Sequence, residues 1–197
     1  MSHRPSVISL FCGAGGSTLG YRLAGFNELL GIDINLTACK TFQCNFPRTP
    51  IWNVDISLVE TEEILDATGL EVGQLDVLDS SPPCQGFSIC GARDVKDKRN
   101  DLSLETIRFI EGLRPKVFLL ENVTGLMKGK MKGRFNQIFT QLKSTGYKLK
   151  WKSINAIYYN VPQSRQRLIF LGVREDLPTE STFPKPNLKV QRLKDVL

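Results

Sequence analysis

Short apolar, β-leaning runs recur at residues 7–12, 28–32, 51–54, 75–78, 117–120 and 168–173. Runs this short, with little alternation, predict strands buried on both faces, and helical patterns fall between several of them. Strand alternating with helix predicts an α/β fold, a doubly wound and mostly parallel sheet with helices on both faces. Phe135, Ile138, Phe139 and Leu142 stand at i, i+3, i+4 and i+7, which predicts an amphipathic helix packed on the core. The period then switches. Tyr147, Leu149 and Trp151 alternate with Lys148, Lys150 and Lys152, so a strand with one apolar and one cationic face is expected at or near a sheet edge. No internal repeat or low-complexity tract interrupts the pattern. Pro178, Pro184 and Pro186 mark a change of character, dividing a domain over residues 1–175 from a Pro-rich segment over 176–197.

At 197 residues, with 41% hydrophobic and 23% charged side chains, the chain has the length of one domain and enough apolar surface for a core. No apolar run approaches the roughly 18–20 residues of a membrane span, and the first residues lack a hydrophobic signal region, so an intracellular protein with no membrane partner is expected. Five cysteines (Cys12, Cys39, Cys44, Cys84, Cys90) without a C-x-x-C pair, and a single histidine, His3, disfavour a disulfide scaffold and a His-based zinc site. No metal is expected. The net charge of +6 is uneven: residues 1–92 carry 4 basic and 10 acidic groups, residues 93–197 carry 22 and 10, and residues 128–152 hold eight Lys/Arg and no acid. Such a region suits a polyanion through phosphate neutralisation, or is simply a solvated lysine-rich surface.

The first strand runs into Phe11-Cys12-Gly13-Ala14-Gly15-Gly16-Ser17, followed by a helix expected over residues 18–24. Glycines let the backbone turn tightly beside a ligand, and the helix start offers free N–H groups. The strict G-x-G-x-x-G is absent, since Thr18 holds its third position, and there is no P-loop lysine. The second strand ends in Asp33-Ile34, where doubly wound proteins accept hydrogen bonds from a ribose; Asp33 could instead cap the next helix. Another acid arrives in Val54-Asp55-Ile56. Acids with apolar neighbours at successive strand ends suit an adenosine with a cationic tail better than a pyrophosphate.

Beyond the fourth strand, Pro82 and Pro83 fix the backbone ahead of Cys84, and Gly86 loosens the chain just past it, a geometry for a thiolate nucleophile as well as for a small buried hydrophobe. Arg93, Lys96, Lys98 and Arg99 would favour the thiolate if their loop folds over it. The fifth strand ends in Glu121-Asn122-Val123. A carboxylate at a buried strand end is costly to keep ionised and can donate a proton to a ring nitrogen; alternatively it bonds backbone N–H groups in a turn. Gln163-Ser164-Arg165-Gln166-Arg167 places two arginines just before a strand, both able to point the same way.

These segments together resemble the cytosine-C5 DNA methyltransferase family, in its motif order, from residue 7 to residue 197. Phe11-x-Gly13-x-Gly15-Gly16 looks like the cofactor loop, Pro83-Cys84-Gln85 the nucleophile motif, Glu121-Asn122-Val123 the acid motif and Gln163-x-Arg165-x-Arg167 the arginine motif. The resemblance implies a Rossmann-like methyltransferase fold, incomplete at its C-terminal end, and S-adenosylmethionine as cofactor, with S-adenosylhomocysteine as product. It places Asp33 on the ribose, Ile34 against the adenine, Asp55 and Ile56 at the adenine edge, and Pro83 and Leu102 in the same pocket. Cys84 would add to C6 of a flipped cytosine, Glu121 bind N3 and the exocyclic amine, Arg167 bind O2 and Arg165 support the site, while Gln85, Ser88, Asn122 and Gln163 face the substrate and residues 86–100 form a lid. Ser9 departs from the usual aspartate, and Asp33 from the usual glutamate. The family's target-recognition region and closing C-terminal helix are not in the chain, so a fragment or one subunit of a split enzyme is implied, with double-stranded DNA and a second polypeptide as partners. Its setting would be the bacterial cytoplasm, or a nucleus in a eukaryote. RNA (tRNA) methylation and a catalytically silent cofactor-binding scaffold subunit are the alternatives.

Overall fold

The computed structural model describes residues 4–83, 102–187 and 189–195. Seven strands form one sheet: β1 (Ser6–Leu10), β2 (Asn27–Asp33), β3 (Ile51–Asn53), β4 (Val77–Ser80), β5 (Val117–Val123), β6 (Tyr147–Asn155) and β7 (Gln166–Arg174), in the order β3-β2-β1-β4-β5-β7-β6. β1 to β5 are parallel, while β7 runs antiparallel to both β5 and β6. The helices are α1 (Gly16–Leu23), α2 (Leu36–Asn45), α3 (Thr61–Thr68), α4 (Leu102–Leu113) and α5 (Lys132–Ser144). None of the described helices is long and apolar enough to cross a membrane.

Local chemistry sets several boundaries. Asn35 accepts from the Ala38 N–H at 3.0 Å and so starts α2, leaving Asp33 free of that task. Glu60 and Glu63 form a reciprocal capping box on α3, which stops at Gly69 with φ 68°. The expected α1 begins two residues earlier, at Gly16, because Gly15 takes a left-handed conformation that only glycine adopts cheaply.

The two sheet faces are covered differently. Toward α3, α4 and α5 point Ile8, Leu10, Leu78, Phe118, Leu120, Leu168 and Phe170, all essentially sealed from water with Ile64, Phe109, Ile110, Leu113, Ile138 and Leu142. Gly172 is part of that fit, since a Cβ there would collide with the Phe118 ring. The expected apolar face of α5 is realised: Phe135 packs on Phe139, Trp151 and Phe170. On the opposite face Phe42 of α2 and Phe46 just past it pack with Cys12, and α1 reaches the sheet through Tyr21, whose hydroxyl donates to Asp79 Oδ1 at 3.4 Å. Farther along that face, Leu119, Glu121, Ile169 and Leu171 are only half-buried.

β6 lies at the edge, as its pattern predicts, but its lysines do not form a free cationic row. Lys148 Nζ donates to the Leu177 carbonyl at 2.6 Å, Lys150 Nζ to Glu180 and the Ser181 carbonyl at 2.9 Å each, and Lys152 lies 6.0 Å from the Phe183 ring centre. These contacts fasten the segment after β7 across the face of β6. With Arg134 Nη1 donating to Gln137 Oε1 at 2.8 Å and Lys143 lying 5.9 Å from the Phe139 ring centre, at least five of the eight cations of residues 128–152 have an intramolecular partner.

Candidate active site

The strand order reverses between β1 and β4, so their loops diverge at the carboxyl edge and leave the crevice in which doubly wound sheets bind ligands. The two loops are tied at that point. Ser81 N donates to the Leu10 carbonyl at 3.3 Å and its hydroxyl to the Phe11 carbonyl at 3.2 Å. Phe11 itself holds φ 57°, a left-handed conformation costing roughly 1–2 kcal/mol for a residue with a Cβ, and it turns the chain out of β1. Gly15 leaves no space for a side chain because the Phe46 ring fills it, whereas a Cβ at Gly13 or Gly16 would meet nothing within 4 Å. The loop is thus held on its inner side and open on its outer side.

Asp33 ends β2 beside this loop. Its two oxygens accept from Gly13 N and Asn35 N, each at 2.8 Å, so it organises the glycine turn, and a carboxylate so engaged still has lone pairs for ribose hydroxyls. Ile34 is 66% exposed, an apolar surface presented at the strand ends. Asp55 accepts from the Ser57 N–H at 3.0 Å and its hydroxyl at 2.8 Å, capping a short 3₁₀ turn. The Ile56 side chain belongs to the core, at 4% exposure, so only its backbone can face a ligand. Its carbonyl accepts from Arg108 Nη2 at 3.1 Å, which links this turn to α4. Pro83 is exposed at the end of the β4 loop, and Leu102 is half-buried at the start of α4.

Glu121 and Arg167 meet directly, Nε to Oε1 at 2.7 Å, each with 26% of its side chain exposed. Adjacent antiparallel strands bring them together: Arg167 pairs in register with Val123, so it lies diagonally from Glu121 on the same face. Glu121 is accordingly not as deeply buried as its place at the end of an apolar strand suggests, and its partner is a guanidinium rather than the backbone N–H groups of a turn. The arginine motif also needs correction. The sequence puts both arginines just before the strand; Arg167 lies inside β7, while Arg165 is exposed in the preceding turn, its N–H bonded to Asn155 Oδ1 at 3.0 Å. The ladder to β6 runs on to Asn155 and Gln166, which draws Arg167 into the sheet. Gln163 is exposed in that turn. Asn122 is buried on the core face, its Oδ1 accepting from Val123 N at 2.8 Å, and so does not share the surface of Glu121. Cys84, Gln85, Ser88 and the expected lid, residues 86–100, lie outside the described residues.

Two acids beside Tyr21 of α1 escape sequence reasoning. Asp79, near the end of β4 and 4% exposed, is pushed up by burial to about 6, against the lowering effect of the Ser17 and Tyr21 hydroxyls. Glu28, in register with Val7, is pushed up by burial to about 8, and nearby Asp79 adds to the shift. The Ser9 hydroxyl lies close enough to lower both slightly, yet neither it nor the Glu28 oxygens closes a well-formed hydrogen bond. Asp79 could have been found by the reasoning applied to Asp33 and Glu121, since it too is an acid closing a strand. Glu28 carries no such signal.

A glycine turn at the switch point, acids at successive strand ends and a reversed seventh strand define a Rossmann-like fold of the S-adenosylmethionine-dependent methyltransferase class. The family model described as C-5 cytosine-specific DNA methylase matches residues 6–197, and the chain belongs to that family. It is 37% identical over 188 residues to the Type II methyltransferase M.DdeI of Desulfomicrobium norvegicum, covering 94% of this chain and 44% of that protein. It is 34% identical over 189 residues to the Type II methyltransferase M.AquIA of a Picosynechococcus strain, covering 91% of this chain and 75% of that one. Among solved structures, a putative DNA modification methyltransferase encoded within an E. coli prophage superposes with a TM-score of 0.83 at 33% identity, over 97% of this chain and 53% of that one. The chain thus spans less than half the length of M.DdeI.

Proposed function

We propose that this chain is the catalytic, cofactor-binding portion of an enzyme that methylates cytosine C5 in double-stranded DNA. The observation that carries this reading is the Glu121–Arg167 pair, a carboxylate and a guanidinium 2.7 Å apart at the sheet edge that also bears the glycine turn. Together they match one ring edge of cytosine, N3 with the exocyclic amine for Glu121 and O2 for Arg167, and Arg165 supports them from the adjoining turn. The pair must open to admit the base, so ligand and side chain exchange partners rather than leaving a charge bare. Cys84, just past the Pro82-Pro83 turn, adds to C6 and raises electron density at C5. Duplex stacking shields C6, so the base flips out of the helix, with residues 86–100 as lid. Bound S-adenosylmethionine supplies an electrophilic methyl group. Asp33, Ile34 and Asp55 would hold its adenosine, and the open outer side of Gly13 and Gly16 would admit its amino-acid end.

A second polypeptide carrying the target-recognition region and a closing helix is the proposed partner. Its support is the half-open sheet face at Leu119, Ile169 and Leu171, together with two exposed apolar side chains of α1, Leu19 and Leu23, at 50% and 81% exposure. The bacterial cytoplasm is the proposed setting, in keeping with the Desulfomicrobium relative.

The test traces label from methyl-labelled S-adenosylmethionine into plasmid DNA or tRNA, using the chain alone and with such a partner. DNA labelling that needs the partner, is lost in Cys84→Ser and traps the protein on 5-fluorocytosine DNA is expected. Label in tRNA would favour RNA methylation, and failure to trap would favour a silent scaffold.

A further inference from the structure

We infer that Asn53 is a positioning residue for the adenosine end of the cofactor site, an inference that rests on the S-adenosylmethionine reading above. Asn53 ends β3 opposite Asp33 in the parallel register. Its Nδ2 donates to two successive carbonyls, Asp33 at 3.1 Å and Ile34 at 2.9 Å, and lies 3.6 Å from Cys39 Sγ. The Asp33 carbonyl also receives Val54 N at 3.2 Å and the Cys39 thiol at 3.3 Å. The backbone of residues 33–34 is therefore gripped from the β3 side, while the Asp33 carboxylate reaches the opposite way to Gly13 N.

This grip matters because Ile34, at 66% exposure, has little packing of its own. Its direction is set by its backbone; the Asp33 carbonyl has three donors, Asn53 Nδ2, Val54 N and the Cys39 thiol, and the Asn53 amide is the one that also holds the Ile34 carbonyl. The same amide, through Asp33, fixes the first glycine of the cofactor loop. Asn53→Asp keeps the shape but replaces the donor with an acceptor facing two carbonyl oxygens, so the turn should release.

The test uses the chain as it stands, with S-adenosylhomocysteine and 5′-methylthioadenosine as probes in titration calorimetry. In Asn53→Asp both should bind about tenfold more weakly and by the same factor, because both present the same adenosine to Ile34 and Asp33. Hydrogen exchange at the Gly13 and Asn35 amides, followed without ligand, should quicken about tenfold in parallel. Asn53→Ser keeps one donor and should lose about threefold in affinity; it is read in the same way if the aspartate variant does not fold. Affinities within twofold of the unsubstituted chain would overturn the inference and leave the cofactor reading intact. So would a markedly larger loss for S-adenosylhomocysteine than for methylthioadenosine, since that is the mark of a loosened pocket rather than a displaced adenosine seat. If the unsubstituted chain binds neither probe, the cofactor reading fails and the inference fails with it.

Discussion

On one face of the sheet Ile8, Leu78, Phe118, Leu120 and Phe170 are sealed beneath three helices; on the other, Ser9, Asp79, Glu121 and Arg167 occupy the alternate positions of the same or neighbouring strands. A strand sends successive side chains to opposite faces, so one stretch of backbone serves packing and chemistry at once. The apolar face sets where the backbone lies. The polar face spends some of that stability on groups that are costly to bury.

Three substitutions probe the contrast. Phe118→Ala, on the sealed face, should lose about 3–5 kcal/mol of unfolding free energy in urea melts, since the ring is fully buried and Gly172 and Tyr147 pack against it. A loss below about 1 kcal/mol would show that this face is not the stabilising one. Glu28→Gln should do the opposite in a pH-dependent way. Below about pH 4.5 the carboxyl is protonated in both folded and unfolded chains; as pH rises the unfolded chain ionises first, while the folded one keeps its proton up to about 8. The folded state therefore loses stability across that window, and glutamine removes the loss. The gain should be on the order of 2 kcal/mol at pH 8 and vanish near pH 4, read from paired denaturant melts. Smallest of all, Lys150→Ala should cost under about 1 kcal/mol, because its partner Glu180 is largely exposed, yet should speed proteolysis within residues 178–186. Unchanged cleavage would mean that the lysine row does not fasten that segment.

Much of this fold is legible in the order of residues. Five interior strands and the edge strand β6 follow from run length and period, because hydrophobic spacing responds to the same burial that forms the sheet. The run 51–54, read as a buried strand, instead forms the opposite edge, with Ile51 and Trp52 half-buried and Asn53 exposed, since nothing among the described residues pairs with β3 on its outer side. Strand ends are less legible. The fifth run stops being apolar at Leu120, yet β5 continues to Val123 because β7 supplies hydrogen-bond partners that far, and β7 begins two polar residues before its apolar run for the same reason. Direction is not legible at all: nothing in the run 168–173 tells a parallel strand from an antiparallel one. In the site, Glu121 and Arg167 can each be singled out by type and place, but their mutual contact depends on that direction. Asn53 and Glu28 stay hidden because their roles come from tertiary surroundings, a carbonyl pair at the end of the neighbouring strand in one case and burial, with Asp79 adding to it, in the other.

The reversal of β7 also separates the two arginines by how they tolerate insertion. Arg167 is counted from the sheet: its place opposite Val123 is held by a ladder of paired residues, so lengthening the turn between β6 and β7 leaves it where it is. Arg165 is counted from the turn, and the same insertion carries it elsewhere. A residue added within β5 between Leu120 and Glu121 would swing Glu121 to the helix-covered face, away from Arg167. Length variation across related chains should therefore gather between residues 156 and 164 and spare residues 117–123, and where it occurs the outer arginine is the one free to be replaced or re-aimed.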